Sequence, residues 1–308
     1  MRRYLFNEAL AGLVSLACIT VHPCLAEEPD DSRIVEQILQ TRDAILKQAT
    51  NAEPVFAAFW DFDGTILKGD CSEGLVIGGK RVYPGLAQVC IEKGLSELYT
   101  PNGGFDRFWM DYTNMYARIG KWLAYPFVPQ MLRGAKPEDV LQVSRQHFAN
   151  VLSNYLMASS VKIIRDLQAH GVECHIISAS ADLFVKGAGR SVGIPEEHIH
   201  GIEVRTREGR LTEEVIYPIT WNIGKLERLG EFTAQRERQS GRKCFVLAGF
   251  GDSYSTDGPF LRFIASQALP AGNAIAVFYD VSGDEPSAYK GLFYHARHNA
   301  TVSGKAER

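Results

Sequence analysis

The sequence has no dense run of lysine and arginine, although 33 basic and 36 acidic residues are spread along its 308 positions. Nucleic-acid binding relies on clustered basic side chains that neutralise phosphates. With a formal net charge of −3, we expect no nucleic-acid partner. The chain also has no internal repeat and no low-complexity segment, so we do not expect a repeat architecture.

Cysteine is scarce, and no two of the six cysteines have the Cys-x-x-Cys spacing of a zinc site. Cys18 and Cys24 lie within the first 26 residues, and four cysteines remain: Cys71, Cys90, Cys174 and Cys244. Cys71 and Cys90 either form a disulfide or stay as two buried free thiols. The sequence does not decide between these alternatives.

The N-terminal apolar run, Ala9–Val21, is too short to span a bilayer comfortably. Two arginines precede it and Cys24-Leu25-Ala26 follows it, which is the pattern of a secretory signal. We therefore predict that residues 1–26 are a signal peptide and that the mature chain is periplasmic or secreted, in an oxidising compartment. We expect no stable membrane insertion after its removal. An uncleaved membrane anchor and a lipid-modified Cys18 remain alternatives.

The most informative stretch is Val55–Trp60, an apolar run followed by Asp61, Asp63 and Gly64. Such a run predicts a strand that is buried on both faces. In extended backbone the side chains of Asp61 and Asp63 point the same way. The carboxyl end of a parallel strand is where open α/β sheets bind ligands. A surface Asp-Gly hairpin turn is the alternative. The fully apolar run before Asp61 argues against it, because a hairpin strand is usually half-exposed.

Further apolar runs predict the strands Val172–Ile177, Cys244–Ala248 and a last one, Ala274–Tyr279, with a hairpin over Ile202–Thr206 and Arg210–Val215. Helical patterns alternate with them: Asp31–Gln48, Val161–His170, Asp182–Val192, Trp221–Glu231 and a helix opened by Asp257. Alternating strands and helices predict an α/β fold built on a parallel sheet.

From Lys68 to about Ser160 we find no convincing strand pattern. Gly-Gly pairs at 78–79 and 103–104 and prolines at 126, 129 and 137 are expected to break helices in this segment. It carries aromatic residues at helical spacing on one face: Phe105, Phe108, Trp109, Tyr112 and Tyr116. We predict a helical subdomain over residues 70–160, inserted into a core formed by residues 27–69 and 161–308.

Polar residues end three of the predicted strands: Asp61 with Asp63, Ser178, and Asp252. The carboxyl ends of parallel strands meet at one edge of a sheet, so we expect these side chains to converge. Carboxylate oxygens suit a hard cation, above all Mg²⁺. Two desolvated like charges are unfavourable unless a cation or a shared proton relieves them.

Ser178 and Lys225 add a hydroxyl and an ammonium group that can bind an anion. Taken singly, a serine at a strand end is usually a turn residue and a lone lysine is usually solvated. Their placement relative to the acidic pairs favours a phosphate-ester site. There, one aspartate can attack phosphorus to give an aspartyl-phosphate. The other can protonate the leaving oxygen and later deprotonate a water.

The chain resembles the haloacid-dehalogenase-like phosphatases, and most closely their phosphoserine-phosphatase-like branch. Four motifs between Phe56 and Phe260 carry the resemblance: Asp61-Phe62-Asp63-Gly64-Thr65, Ser178 after an apolar strand, Lys225, and Gly251-Asp252-Ser253 with Asp257. The resemblance implies a Rossmann-like parallel core with a helical cap inserted between the first two motifs. Such a cap closes over the substrate and excludes water.

The resemblance also implies roles for individual residues. Asp61 would be the nucleophile and Asp63 the general acid and base, an acid that dehalogenases lack at this position. Asp61, the Asp63 backbone carbonyl and Asp252 would hold Mg²⁺, while Ser178 and Lys225 would bind the phosphoryl group. Thr65 and Asp257 would support this set.

Four residues separate Asp252 from Asp257, where the phosphoserine-type motif usually has three. Whether Asp257 is a direct metal ligand or a neighbour of the ligands stays open. The implied strand order places Cys174 and Cys244 on either side of the central strand, about 10 Å apart. We therefore expect both to be free, because a disulfide cannot span that distance.

Asp70 lies nine residues after Asp61, where phosphoserine-phosphatase-like proteins carry an acid that pairs with the substrate amine, and Glu73 is close to it. These acids favour an amine-bearing substrate such as phosphoserine, phosphoethanolamine or phosphocholine. A solvated acid is the alternative. The aromatic face, together with Trp122, could bind a quaternary ammonium group, but such a face more often packs in a core.

Taken together, the sequence predicts an enzyme, a phosphoric monoester hydrolase that uses Mg²⁺ and an aspartyl-phosphate to act on a small phosphorylated metabolite. A broad periplasmic phosphatase and a phosphotransferase are alternatives with the same active site. A secreted binding or effector protein with a vestigial site is a further alternative, against which the intact acidic and lysine motifs argue.

Overall fold

The computed structural model describes residues 30–49 and 53–303. The predicted signal peptide and its alternatives therefore lie outside the described residues. Within those ranges, every helix is too short or too polar to cross a lipid bilayer.

The described residues form the elements used below. The strands are β1 (Val55–Trp60), β2 (Gly74–Ile77), β3 (Lys80–Pro84), β4 (Val172–Ala181), β5 (Ile199–Arg207), β6 (Arg210–Ile216), β7 (Cys244–Gly251), β8 (Ile275–Tyr279) and β9 (Tyr294–Ala296). The helices are α1 (Asp31–Gln48), α2 (Leu86–Glu92), α3 (Gly104–Arg118), α4 (Lys121–Gln130), α5 (Pro137–Asn150), α6 (Ala158–Ala169), α7 (Asp182–Lys186), α8 (Gly189–Val192), α9 (Ile223–Ser240) and α10 (Tyr254–Ala265).

The central sheet has seven strands among the described residues, in the order β6-β5-β4-β1-β7-β8-β9. All pairings are parallel except the β5–β6 hairpin. β1 lies in the middle between β4 and β7, and all six of its residues are buried. The predicted α/β class and the predicted central position of β1 are confirmed.

The four cysteines of the described segment are all buried free thiols. Cys174 pairs in register with Ala58 and Cys244 with Val55, so β1 separates the two thiols as expected. Cys71 and Cys90 do not form a disulfide, which decides between the two alternatives left by the sequence.

Two apolar layers sandwich the sheet. On one face, Phe59 and Ile177 pack with Leu229 of α9 and Phe260 of α10. The other face is covered by α1 and α6, and its cluster continues into the buried apolar residues of α3 and α4. The helices of residues 85–150 therefore share a hydrophobic core with the sheet. The predicted division at residues 69/70 and 160/161 stays a prediction.

The absence of strands between Lys68 and Ser160 was a wrong prediction. β2 and β3 form an antiparallel hairpin joined by Gly78 and Gly79. Both glycines have positive φ, +56° and +76°, which the tight turn of a two-residue hairpin requires. The glycine pair therefore closes a hairpin and does not break a helix.

Several element boundaries also differ from the sequence prediction. α10 begins at Tyr254 after the capping position of Ser253, and Asp257 lies inside its first turn. Pro126 and Pro129 lie inside α4, where both are buried. The helix predicted over 182–192 is two short helices, β4 and β7 extend further than predicted, and β9 follows the strand expected to be last.

Candidate active site

The carboxyl ends of β1, β4 and β7 meet as the sequence predicted. The Asp61 amide donates to the carbonyl oxygen of Phe250 at 2.9 Å, so pairing with β7 continues one residue beyond β1. Gly64 then turns the chain with φ +79°. A Cβ atom at Gly64 would lie 2.0 Å from Asp252 Oδ2. Only glycine therefore allows the first loop to approach the acid that follows β7.

A cavity of about 620 Å³ opens at this edge of the sheet. Six of the predicted site residues line it: Asp61, Asp63, Asp70, Glu73, Ser178 and Asp252. Lys225 and Thr65 are fully buried and contact Asp61. The Lys225 ammonium donates to Asp61 Oδ1, and the Thr65 hydroxyl lies 3.4 Å from Asp61 Oδ2. The predicted residues thus come together, with Lys225 set behind the Asp61 carboxylate.

Lys225 is held between two carboxylates. Its Nζ also donates to Asp257 Oδ1 at 2.7 Å. Burial alone would lower the pKa of Lys225, but the charges of Asp257 and Asp61 outweigh it and raise the pKa above its usual value. Lys225 is therefore a permanent cation at the base of the site.

Asp257 uses both carboxylate oxygens within the protein. Oδ1 accepts from Lys225, and Oδ2 accepts from the backbone amides of Asp252 and Ser253 at 3.1 and 3.0 Å. Asp257 therefore fixes the loop that carries Asp252 and, at the same time, the position of the lysine.

Three carboxylates gather beside the lysine. Asp61, Asp252 and Asp257 each place one oxygen within 4.8 Å of those of the others. Burial, followed by the charge of Asp257, raises the pKa of Asp61 to about 7. Burial, followed by the charge of Asp61, raises the pKa of Asp252 to about 9. Buried acids that repel each other in this way, with oxygen donors only, fit the donor set of a hard divalent cation such as Mg²⁺.

The Asp63 carboxyl group is fixed by hydrogen bonds from two sides. Its Oδ1 accepts from the Cys71 amide at 2.7 Å, and its Oδ2 accepts from the Ser180 hydroxyl at 2.6 Å. Burial, followed by the nearby charge of Asp70, raises the pKa of Asp63 to about 8. Burial and the charge of Asp70 therefore favour the protonated form of Asp63, while the two hydrogen bonds that it accepts favour the carboxylate.

Besides Lys121 and Tyr125, which line the cavity, three residues that fix the position of site residues were missed in the sequence. Ser180 bonds Asp63, and its amide donates to Ser178 Oγ at 3.1 Å. The alternation Ser178-Ala179-Ser180 signals this role, because residues two apart in a strand share a face. The Thr220 hydroxyl donates a hydrogen bond to the Ser178 carbonyl oxygen. The side-chain amide of Asn222, which lies just before α9, donates to the Ser255 carbonyl oxygen. We find no sequence signal for the last two.

The outer part of the cavity is lined by acidic, aromatic and basic side chains. Asp70 Oδ1 accepts from the amides of Ser72 and Glu73 at 2.7 and 2.8 Å. Glu73 Oε1 accepts from the Tyr112 hydroxyl at 2.5 Å. Burial, followed by the charge of Glu73, raises the pKa of Asp70 to about 7, and burial also raises that of Glu73. Tyr112, Tyr125 and Lys121 complete this part of the lining.

The predicted aromatic face divides between three environments. Phe108 is buried and stacks on Phe127, with ring centroids 5.7 Å apart. Tyr112 is also nearly fully buried but reaches the cavity. Trp109, Tyr116 and Trp122 are exposed. Core packing therefore explains the position of Phe108 in this face, whereas Tyr112 is the residue of the face that lines the cavity.

The Lys121 side chain joins α4 to the first turn of α10, the helix that follows β7. Its Nζ donates to the Ser255 hydroxyl at 3.0 Å, and it lies 5.8 Å from the centre of the Tyr125 ring. The helical segment therefore touches the catalytic edge of the sheet directly over the cavity.

Comparison with known proteins gives matches in both family and fold. The model of the haloacid dehalogenase-like hydrolases matches residues 58–262, well over half of the chain. A protein of unknown function from Bordetella pertussis Tohama I has a similar fold, with a TM-score of 0.59 at 16% identity, covering 79% of this chain and 98% of that one. Cytosolic 5'-nucleotidase IIIB bound to cytidine gives a TM-score of 0.55 at 16% identity, covering 88% and 87%.

A phosphoserine phosphatase, solved as a phospho-aspartyl intermediate analogue, gives a TM-score of 0.44 at 12% identity, covering 79% of this chain and 93% of that one. A similarity this low does not assign the chain to that branch. No curated protein sequence matches the chain. The family match agrees with the predicted enzyme class, a phosphoric monoester hydrolase, while the substrate stays a prediction. The match over residues 58–262 shows that the chain belongs to the haloacid dehalogenase-like hydrolases.

Proposed function

We propose that the protein is a Mg²⁺-dependent phosphomonoesterase that forms an aspartyl-phosphate on Asp61. One observation carries the proposal: Asp61, Asp63, Ser178 and Asp252 line a single cavity, with Lys225 against the Asp61 carboxylate. These groups come from four separate segments of the chain, and together they supply a nucleophile, an acid, anion donors and oxygen ligands.

Asp61 is the proposed nucleophile. Lys225 stabilises its anionic form by direct contact. An ammonium group has three N–H donors, and two of those of Lys225 are taken by Asp61 and Asp257. Lys225 is fully buried behind Asp61, so its third N–H is proposed to reach a phosphoryl oxygen when the Asp61 carboxylate moves to attack phosphorus. The same lysine therefore orients the nucleophile and neutralises the group that it attacks.

The Mg²⁺ site is proposed to consist of Asp61, the backbone carbonyl of Asp63, and Asp252. When bound, the ion would offset charge on the phosphoryl group so that an anionic carboxylate can approach it. Asp257 is assigned a supporting role, because both of its oxygens already accept hydrogen bonds from the protein.

Asp63 is the proposed general acid and base. It protonates the leaving oxygen in the first step and takes a proton from the attacking water in the second. The Ser180 hydroxyl and the Cys71 amide fix the carboxyl group while it changes protonation state. Ser178 Oγ accepts from the Ser180 amide, so its own O–H can donate to the phosphoryl group.

An ammonium-bearing phosphate monoester is the proposed substrate class. Five carboxyl groups and one lysine line the cavity. Asp70 and Glu73 are not among the proposed metal ligands, although a carboxylate oxygen of Asp70 lies within 4.8 Å of one of Asp63. A cationic substrate would relieve the mutual repulsion of Asp70 and Glu73. The cavity volume of about 620 Å³ is typical of small-molecule sites. Phosphoserine, phosphoethanolamine and phosphocholine fit this description. A periplasmic or secreted location is proposed from the N-terminal sequence pattern alone.

The test is a substrate panel with the Asp70→Asn variant. Asparagine keeps the side-chain oxygen that caps the turn at Ser72 and Glu73 but removes the charge. We expect the kcat/KM for phosphocholine or phosphoserine to fall by about tenfold, which corresponds to about 1.4 kcal/mol. The kcat/KM for p-nitrophenyl phosphate should change less than twofold. Asp106→Asn, an exposed acid in the first turn of α3, is the matched control.

Activity in Mg²⁺ and in EDTA tests the reaction itself. We expect turnover of phosphate monoesters in Mg²⁺ and its loss in EDTA. Full activity in EDTA would contradict the metal dependence. Equal losses on ammonium-bearing and neutral substrates in Asp70→Asn would contradict the substrate class. Adding alcohol acceptors to the same assay distinguishes hydrolysis from phosphotransfer.

A further inference from the structure

A fully buried histidine on β4 has no use in the proposed reaction. His175 is 0% exposed, and neither ring nitrogen has a hydrogen-bond partner among the described residues. Its ring packs against Phe59 and Phe232, with ring centroids 5.1 and 3.8 Å away. Leaving a buried polar group without a hydrogen-bond partner is unfavourable. A polar ring in this apolar setting therefore needs a physical reason.

Two further metal-binding side chains converge on His175. Glu173 lies two residues earlier on β4, so its side chain leaves the same face of the sheet. His198 belongs to the short 3₁₀ turn Glu196–His198 before β5, and its ring centroid is 4.1 Å from that of His175. One ligand atom from each of the three residues lies within 4.8 Å of the others.

We infer that Glu173, His175 and His198 form a second metal site, specific for a late first-row transition metal, with Zn²⁺ as the best match. Two imidazoles and one carboxylate are typical of zinc and unlike the oxygen-only set that Mg²⁺ prefers. Around a tetrahedral Zn²⁺ with ligands at 2.0–2.2 Å, the ligand atoms lie roughly 3.5 Å apart. The side chains must therefore close by about 1 Å. A rotation of His198, which is half-buried on a short turn, would supply this movement.

The surroundings suit metal binding by these groups. Burial, followed by the charges of His198, His200 and Arg236, lowers the pKa of His175 well below its usual value. The ring is therefore neutral and able to coordinate. Arg236 of α9 holds the Glu173 carboxylate, with its Nε 2.9 Å from Oε2 and its Nη2 2.5 Å from Oε1. Such a partner fixes the orientation of a ligating carboxylate.

The inferred site is separate from the catalytic one. His175 lies three residues before Ser178, which is about 10 Å along the strand. A bound ion would tie β4, which carries the proposed phosphoryl-binding residue Ser178, to the turn before β5. Through Arg236 it would also tie β4 to α9, which carries Lys225 near its start. The expected effect is on stability, so the test does not depend on catalysis.

The test is zinc binding to the purified protein in excess Mg²⁺, measured by equilibrium dialysis. The Mg²⁺ keeps the catalytic carboxylates occupied. His175→Phe replaces one ring with another that suits Phe59 and Phe232, and His198→Ala acts on a different element. His170→Asn, an exposed histidine at the end of α6, is the matched control. Thermal unfolding without zinc confirms that each variant is folded.

We expect the wild type and His170→Asn to bind one Zn²⁺ more than His175→Phe and His198→Ala, or to bind it at least about a hundredfold more tightly. Zinc should raise the unfolding temperature of the first two proteins and not of the other two, since a ligand stabilises only the state that binds it. Equal zinc stoichiometry and affinity in all four proteins would overturn the inference. So would a wild-type protein that binds no zinc under these conditions.

Discussion

The Lys225 ammonium nitrogen lies 2.7 Å from Asp257 Oδ1 while it also contacts Asp61, and all three side chains are almost entirely shielded from solvent. Asp257 Oδ2 in turn accepts hydrogen bonds from the backbone amides of Asp252 and Ser253. One buried carboxylate therefore couples the lysine of α9 to the loop after β7. A substitution that changes the charge of Lys225 or Asp257 should therefore disturb the position of the Asp252 loop as well.

Removing the buried cation should destabilise the fold. Lys225→Met leaves Asp61 and Asp257 buried without their partner, and breaking a buried ion pair costs about 3–5 kcal/mol. Urea denaturation of the metal-free protein measures the change in free energy of unfolding. Lys162→Met removes an exposed lysine paired with Asp166 at 2.6 Å, and we expect it to cost less than about 1 kcal/mol. Equal effects of the two substitutions would show that the buried triad contributes little.

The close approach of Gly64 to Asp252 should make this glycine essential for metal binding. In Gly64→Ala the new Cβ would meet Asp252 Oδ2, and the backbone would keep a φ of +79°. We expect loss of Mg²⁺-dependent activity by at least a hundredfold. Gly209→Ala is the matched control, since Gly209 has φ +73° in the β5–β6 turn and open space around it. Its cost should be limited to backbone strain of about 1 kcal/mol without loss of activity. A fully active Gly64→Ala would refute the packing argument.

The acidic cluster predicts how stability depends on pH without a cation. The pKa values of Asp63 and Asp252 are raised to about 8 and about 9 in the fold, from a usual value of 3.8. Between pH 7 and 9 the folded state therefore holds protons that the unfolded state has lost. Stability then falls as pH rises. We expect the unfolding temperature of the metal-free protein to decrease from pH 7 to pH 9.

Adding Mg²⁺ should reverse this trend, because the ion binds the deprotonated carboxylates. The stabilisation by Mg²⁺ is expected to be larger at pH 9 than at pH 7 and to shrink in Asp252→Asn. Differential scanning calorimetry at the two pH values, with and without Mg²⁺, gives both quantities. An unfolding temperature of the metal-free protein that stays flat or rises over this range would contradict the raised pKa values.

Ser180 provides a test of how Asp63 is held. Its hydroxyl donates to Asp63 Oδ2 and so favours the charged carboxylate. Ser180→Ala should raise the pKa of Asp63, and the alkaline limb of the kcat profile should move to higher pH. Ser180→Thr, which keeps the hydroxyl, should restore the original profile. A loss of activity with an unchanged pH profile would indicate a structural role only.

The central sheet and the edge that carries the candidate site could be predicted because both are encoded by local patterns of apolar and polar residues. A fully apolar run before two aspartates, and polar residues after two further apolar runs, were enough to place Asp61, Ser178 and Asp252 together. Lys225 lies in a helix with an ordinary amphipathic pattern. Its place at the phosphate site was predicted from its position relative to the acidic pairs and from the family resemblance, but its hydrogen bonds to Asp61 and Asp257 were not.

The structural features that the sequence did not predict depend on contacts between distant segments, or on residue patterns that fit more than one type of secondary structure. The β2–β3 hairpin has exposed apolar residues, Val76, Ile77 and Val82, so its pattern lacks a buried face. Pro126 and Pro129 are kept in a helix by burial that the local sequence does not reveal. The convergence of Glu173 with His198 depends on β5 lying beside β4, which no local pattern specifies.

The most direct test of the proposed mechanism is the detection of phosphate covalently bound to Asp61. The protein is quenched in acid during turnover of a phosphate monoester with Mg²⁺, digested, and analysed by mass spectrometry. We predict a phosphorylated peptide that contains Asp61 in the wild type and in Asp43→Asn, an exposed control on α1. The peptide and the turnover should both be absent in Asp61→Asn. Undiminished turnover in Asp61→Asn, or phosphate on a different residue, would contradict the mechanism.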